Sequence, residues 1–379
     1  MKWRRVKLGE ILESSKECRF VEHPLDEKLI SVQLHGKGAV QRVLSQEKAP
    51  SPFKGFVGRE GQIVYSRIWA RKGAIAKIGK DLDGVVVSSE FPLFNVCPVA
   101  DIDYLIYAFQ SSSFKQQLEL AGAGTSGQNR IKEKAFLNFE IPLPPLGEQK
   151  RIAEILGGVS KAIHAVEQQI ETANQLEKSL FNQFRRQYSA LYSPIKNMCK
   201  VQTGATPSRK NSSYYDGEIP WVKTGEVNGG KIEETEEYIT ELAVQETNCR
   251  KFPIGTILVA MYGQGATRGK VGILNCAAAT NQACAALIAL ACEDQEYIFA
   301  VLRNCYDELR NLGRGGTQPN LNLTLVKNFE IPWPEGFARE EFSQKWRELD
   351  NLRHLLHRKL SLLQELQKSL ATRAFAGLL

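Results

Sequence analysis

The sequence predicts an α+β protein: two pseudo-repeated, strand-rich α/β domains joined by two long antiparallel coiled-coil helices. Three observations carry that expectation. The line NFEIPLP at 138–144 returns as NFEIPWP at 328–334, an offset of 328 − 138 = 190 in a chain of 379 residues. A long stretch with a heptad seam follows each copy of the line. A glycine-containing segment that reads as strands and turns precedes each copy.

The offset extends beyond the line itself. His164 matches His354, and Leu176, Lys178, Ser179 and Leu180 match Leu366, Lys368, Ser369 and Leu370, with no gap between 138 and 180. This is a tandem duplication of a large unit, far longer than the roughly 20–50 residues of solenoid and propeller repeats. The expected division is two domains, 1–145 and 191–335, and two helical segments, 146–190 and 336–379.

The helical segments carry the clearest pattern. Ile152, Leu156, Val159, Ile163, Val166, Ile170, Ala173, Glu177 and Leu180 alternate four- and three-residue steps. The same positions in the second copy hold Phe342, Trp346, Leu349, Arg353, Leu356, Leu360, Leu363, Gln367 and Leu370. Both seams have a polar break at the same place, Glu177 and Gln367. Pro144, Pro145 and Pro334 suit an extended lead-in or a first helical turn. Gly157-Gly158 weakens the first helix near its start without ending it. A continuous helix from 147 to 186 is roughly 60 Å long. Matched seams of this length predict that the helices pack on each other, antiparallel if the repeat has pseudo-two-fold symmetry.

The segments 1–137 and 191–327 differ in sequence but share landmarks. In the first, GQIVYSR at 61–67 precedes KGAIA at 72–76; in the second, GTILVAM at 255–261 precedes RGKVGI at 268–273. Each reads as strand, basic glycine turn, strand. The runs 85–90 and 277–282 are apolar and end in polar side chains, Ser88-Ser89-Glu90 and Thr280-Asn281-Gln282. The Ala-rich stretch 277–292 reads as a buried strand and helix. A polar glycine-rich loop then precedes each repeated line: GAGTSGQNR at 122–130 and GRGGTQPN at 313–320. Asn and Gln pair bidentately with adenine and Arg with guanine, and loop amides can hold phosphate. A single such loop would read as a surface turn; two at equivalent places favour function.

Composition narrows the class. The chain is 43% hydrophobic and 24% charged, ordinary for a globular protein. Its basic N-terminus lacks the apolar core of a signal peptide, and no run approaches the roughly 20 apolar residues of a membrane span. The eight cysteines form no CxxC pair, which suggests reduced, buried thiols in a cytosolic setting. His164 and His354 lie beside seam positions and are expected to pack at the helix interface. The net charge of +7 permits a nucleic-acid partner without demanding one.

Familiar catalytic motifs are missing. There is no Asn/Asp-Pro-Pro-aromatic line of a base methyltransferase, no GxSxG and no HExxH. The stretch 263–271 fails as a phosphate loop, because Val271 stands where a magnesium-binding Ser/Thr belongs.

Taken together, the chain resembles the specificity subunit of type I restriction-modification enzymes. The resemblance rests on EIPLPPLGEQKRIAEIL at 140–156, EIPWP at 330–334, GEIPWVK at 217–223, AMYG at 260–263 and the ending KSLATRAFAG at 368–377. The second copy departs from it at EGFAR, 335–339, where PPLGEQ is lost. The resemblance implies two target-recognition domains, each reading half of a split, asymmetric double-stranded DNA site. It implies helices that act as a ruler and dock two methyltransferase subunits, with restriction subunits joining the complex. S-adenosylmethionine, ATP and Mg would be bound by those partners, leaving this chain without a cofactor, a metal or a catalytic residue, in a bacterial or archaeal cytoplasm. The DNA-contacting residues expected are Ser66, Arg67, Gln128, Asn129, Arg130, Lys223, Asn281, Gln282, Arg314, Thr317, Gln318 and Asn320. The partner-contacting residues expected are Glu148, Gln149, Arg151 and Ile152. Two other readings stay open: a coiled-coil assembly scaffold with two protein-binding domains, and an enzyme with an unrecognised site.

Overall fold

A computed structural model describes residues 3–44, 50–121, 130–263, 266–312 and 320–379. The chain separates into two compact units, Met1–Glu167 with Arg358–Leu379, and Gln168–His357. The helices of the described residues are α1 (Ile102–Ala108), α2 (Ser112–Ala121), α3 (Glu133–Leu137), α4 (Leu146–Gln187), α5 (Glu241–Glu246), α6 (Gln295–Asn304), α7 (Tyr306–Asn311), α8 (Leu323–Asn328) and α9 (Gly336–Phe375). The division between units falls inside both α4 and α9.

In the first unit the repeated line is a strand. Glu140–Pro142 pairs antiparallel with Arg5–Lys7, so the end of the domain closes on its beginning. Tyr104 of α1 donates its hydroxyl to the Pro142 carbonyl at 2.6 Å. A four-stranded sheet runs Leu12–Ser14, Leu93–Val96, Ile63–Tyr65, Ile75–Lys77, and a three-stranded sheet runs Cys18–Val21, Phe53–Gly58, Val85–Val87. Tyr65 and Phe136 stack with centroids 4.2 Å apart, joining the first sheet to α3.

The second unit repeats the plan. Glu330–Pro332 pairs with Tyr192–Pro194, and Tyr297 of α6 donates to the Pro332 carbonyl as Tyr104 does to Pro142. Its larger sheet runs Cys199–Thr203, Cys284–Ala289, Ile257–Ala260, Val271–Leu274, Lys231–Ile232. The stretch 277–292 forms two strands, Ala278–Thr280 and Cys284–Ala289, rather than the expected strand and helix. Asn281 breaks the run: its side-chain oxygen accepts from the Ala283 amide at 3.1 Å and turns the chain.

Each unit contains a piece of both long helices, packed antiparallel. In the first, Ile152 and Leu156 share a core with Ala374, and Gln367 donates to Ser160 Oγ at 2.8 Å. In the second, Phe184 meets Phe342 at 4.5 Å, while Glu177, earlier along α4, reaches Trp346 and Arg353, later along α9. Every seam residue is buried or half-buried. The polar break at Glu177 is a buried charge cluster. Arg303 donates to both Glu177 oxygens at 3.1 and 3.0 Å and to Asp350 at 2.8 Å. Arg353 also binds Glu177 and Asp350, and Trp346 Nε1 donates to Glu177 at 2.9 Å. One correction follows. The side chains of His164 and His354 are 70% and 61% exposed, because both lie one residue off the seam on its outer side. Leu176 and Leu366 are also exposed.

All eight cysteines are free thiols, but only Cys199, Cys249, Cys284 and Cys305 are buried. Cys97 and Cys276 are half-buried, and Cys18 and Cys292 are exposed, which corrects the expectation of uniform burial. Desolvation pushes the Cys199 and Cys284 thiols up to about 12 and raises Cys305 as well. In a native thiol titration Cys18 and Cys292 should react first, and the four buried thiols only on unfolding. Rapid reaction of the buried four would mean that these cores are open.

Candidate nucleic-acid interface

The two units share one backbone frame at the end of a sheet strand. In the first unit, Ser66 N donates to Ala74 O at 3.0 Å, Arg67 N to Glu90 O at 2.9 Å, and Ile131 N to Arg67 O at 2.8 Å. In the second, Ala260 N donates to Lys270 O at 2.9 Å, Met261 N to Ala283 O at 2.8 Å, and Leu321 N to Met261 O at 3.1 Å. Each strand end is thus tied to the segment just past a polar glycine loop. The hairpins behind the frame also match. Ile63–Tyr65 pairs with Ile75–Lys77 and Ile257–Ala260 with Val271–Leu274. Gly73 and Gly269 sit in the connections at φ 75° and 85°, a conformation that disfavours a side chain.

The side chains on this frame differ. Ser66 is buried, and its hydroxyl accepts from the Trp69 amide at 3.3 Å, so it holds the turn and cannot reach a ligand. Arg67 is half-buried, lies 3.5 Å from Glu133, and has a buried Nε with no hydrogen-bond partner among the described residues. Exposed Arg130 pairs with Glu90 at 3.1 Å. In the second unit the equivalent positions hold Ala260, Met261, Ala283 and Asn320, the last exposed. Asn281 is half-buried in its turn, while exposed Gln282 accepts from Thr206. Asn281 N donates to Val222 O at 3.1 Å, which brings Lys223 beside this turn. Gln128, Asn129, Arg314, Thr317 and Gln318 lie outside the described residues.

Lys223 is a weaker candidate than its sequence suggests. It donates to Glu236 and Glu237 at 2.9 and 3.0 Å, and these bonds hold its ammonium above the ordinary lysine range. Its charge is answered within the domain. Arg209, 2.7 Å from Glu237, stacks over Tyr215 at 4.5 Å in the same cluster.

Several exposed side chains here escaped sequence reasoning. Ile68 and Trp69 directly follow the first frame and are 42% and 47% exposed. Tyr262, directly after the second, is 40% exposed. Lys72 Nζ lies 5.0 Å from the Trp69 ring. The available signal was an aromatic residue inside a basic glycine turn, SRIWARKG at 66–73.

At the start of α4 the four expected partner residues divide. Glu148 and Arg151 form an ion pair with bonds of 2.9 and 2.8 Å, which lowers the Glu148 carboxyl, and both remain accessible. Gln149 and Ile152 are fully buried, which removes them from any partner surface. Gln149 accepts from Asp101 N at 2.8 Å and donates to Val99 O and Pro144 O at 3.0 and 2.8 Å. At the equivalent position of the second copy Arg339 binds Asp294 through two bonds, at 2.7 and 3.2 Å, and reaches Pro334 O. The departure at 335–339 therefore preserves the lock on the helix start while changing its chemistry. Further along, Gly157 faces Tyr107 in the first unit, whereas Arg347 fills the matching position and binds Glu296 at 2.9 Å.

This arrangement defines a duplicated scaffold of two strand-rich modules, each completed by pieces of both long helices. The chain belongs to the family of type I restriction modification DNA specificity domains, whose model matches it at 1–175 and again at 192–362. The type I restriction enzyme MjaIX specificity subunit of Methanocaldococcus jannaschii is 31% identical over 163 residues, 42% of this chain and 37% of that protein. Against that relative the chain spans little more than a third of its length. The MjaVIII specificity subunit of the same organism is 23% identical over 299 residues, 72% of this chain and 69% of that one. The crystal structure of a type I restriction-modification S subunit from M. genitalium superposes with a TM-score of 0.66 at 15% identity. It covers 99% of this chain and 96% of that one, a shared fold.

Proposed function

We propose that this chain is the non-catalytic DNA-specificity subunit of a type I restriction-modification complex. On this reading, 1–145 and 191–335 are target-recognition domains, and each reads one half of a bipartite, asymmetric double-stranded site. The helical segments 146–190 and 336–379 set the spacer and dock two methyltransferase subunits. Restriction subunits complete the assembly in a bacterial or archaeal cytoplasm. Methyl transfer and cleavage, with S-adenosylmethionine, ATP and Mg, belong to those partners.

One observation carries this reading: the same main-chain frame holds different side chains in the two units. Arg67, Glu90 and Arg130 stand in one unit where Met261, Ala283 and Asn320 stand in the other; Arg130 and Asn320 are exposed, and Met261 is buried. Base identity is read by side chains, whereas main-chain amides and cations position the phosphates. A constant frame with variable side chains suits two readers of different half-sites.

Partner docking draws support from α9. Leu352 and Leu355 in one unit, and Leu362 and Leu366 in the other, are 45–65% exposed outside the buried seam. Such an apolar stripe on a helix fits a partner helix. The accessible Glu148–Arg151 pair of the first unit is a further proposed partner contact, with Gln149 and Ile152 supporting it from inside. Gly157 against Arg347 makes the two docking regions unequal.

Methylome sequencing of a host carrying this chain with its partners tests the proposal. The expected result is methylation at one two-part motif with a fixed spacer. Methylation at a single undivided motif, or none dependent on this chain, would overturn it.

A further inference from the structure

Exposed apolar side chains scattered singly are ordinary, but those beside the two frames are not scattered. The first apolar residues after the frame are solvent-exposed in both units, although the frame residues before them are buried or half-buried. Of the five tryptophans, Trp69 is exposed and the other four are buried or half-buried. It has Ile68 as its neighbour in sequence, and the exposed Lys72 lies over its ring. Arg71 on the same turn donates to Glu119 O at 3.2 Å near the end of α2. In the second unit Tyr262 follows Met261, whose carbonyl is held by Leu321. A surface that leaves neighbouring Trp and Ile side chains nearly half in water is suited to being covered. The cation above Trp69 favours a polyanion as the cover, since a lysine on an aromatic face can reach phosphate while the ring meets a base.

We infer that Ile68 and Trp69 in the first unit, and Tyr262 in the second, are the apolar base-contacting residues of the two readers. The inference rests on the DNA-specificity reading and adds to it a residue-level assignment. The rings meet base-pair edges or wedge at a base step, and Lys72 holds the adjacent phosphate.

The test uses the full chain assembled with its methyltransferase partners and duplexes carrying both half-sites, or either one scrambled. Trp69→Ala should weaken binding to the intact duplex about 10- to 100-fold, as the loss of an aromatic–base contact does. It should erase discrimination at one half-site only, and Trp69→Phe should restore most of it. Tyr262→Ala should do the same at the other half-site. Unchanged thermal unfolding of both variants is expected from their exposure. Wild-type affinity and discrimination in Trp69→Ala would overturn the inference while leaving the specificity reading intact. Loss of partner assembly with unchanged discrimination would also overturn it, by assigning the patch to a protein contact. If the wild-type complex discriminates neither half-site, the specificity reading has itself failed and the inference falls with it.

Discussion

Replacing Glu177 by alanine is expected to destabilise the unit Gln168–His357 by about 3–5 kcal/mol, the cost of breaking one side of a buried ion pair. The side chains of Glu177, Arg303, Arg353 and Asp350 are each less than a fifth exposed. Their formal charges cancel, two acids against two guanidinium groups. Removing Glu177 leaves two buried arginines sharing one aspartate and strands Trp346 Nε1. The buried cluster then carries one uncompensated positive charge, so the loss exceeds that of any exposed pair on the same helix. Glu171→Ala is the control: Glu171 is exposed, accepts from Gln175, and its loss should cost well under about 1 kcal/mol. Urea denaturation with amide exchange across 168–187 separates the cases. A loss below about 1 kcal/mol for Glu177→Ala would show that the cluster contributes little.

Lengthening both long helices by one heptad should move the spacer of the DNA target by about three base pairs. Seven residues add roughly 10 Å at 1.5 Å per residue, against 3.4 Å per base pair. Insertion after Glu167 in α4 and before Arg358 in α9 keeps the apolar seam in register, because seven residues return the same helix face. Binding to the original site should fall to the non-specific level, while both half-site sequences stay unchanged in the new motif. Inserting four residues instead rotates the seam and should abolish assembly. An unchanged spacer in the heptad variant would remove the ruler from the proposed function.

The parts legible in the sequence were those written in local periodicity. The seam from Ile152 to Leu180 could be read because burial of one helix face repeats every three or four residues. The hairpins at 61–76 and 255–273 could be read because a glycine turn between apolar runs has few alternatives. What stayed hidden depends on residues distant in sequence. Glu177 was visible as a break in the seam, but its partners Arg303 and Arg353 lie 126 and 176 residues away. Gln149 looked like a surface residue at a helix start, yet three main-chain groups from 99–144 enclose it. Lys223 looked like a free cation until Glu236 and Glu237 were placed beside it. Ile68 and Trp69 stayed unmarked, since sequence alone does not say which apolar residues remain in water.

The frame that recurs at Arg67 and Met261 is built only from amide hydrogens and carbonyl oxygens. Any residue but proline can supply those atoms, so the hydrogen bonds of the frame do not depend on the side chain. The packing does: Met261 is buried in the core of its unit, whereas Arg67 is half-buried. An arginine in one unit and a methionine in the other are held by the same three main-chain bonds. A new side chain at the half-buried Arg67 therefore leaves the frame standing, whereas one at Met261 must also refill the core around it.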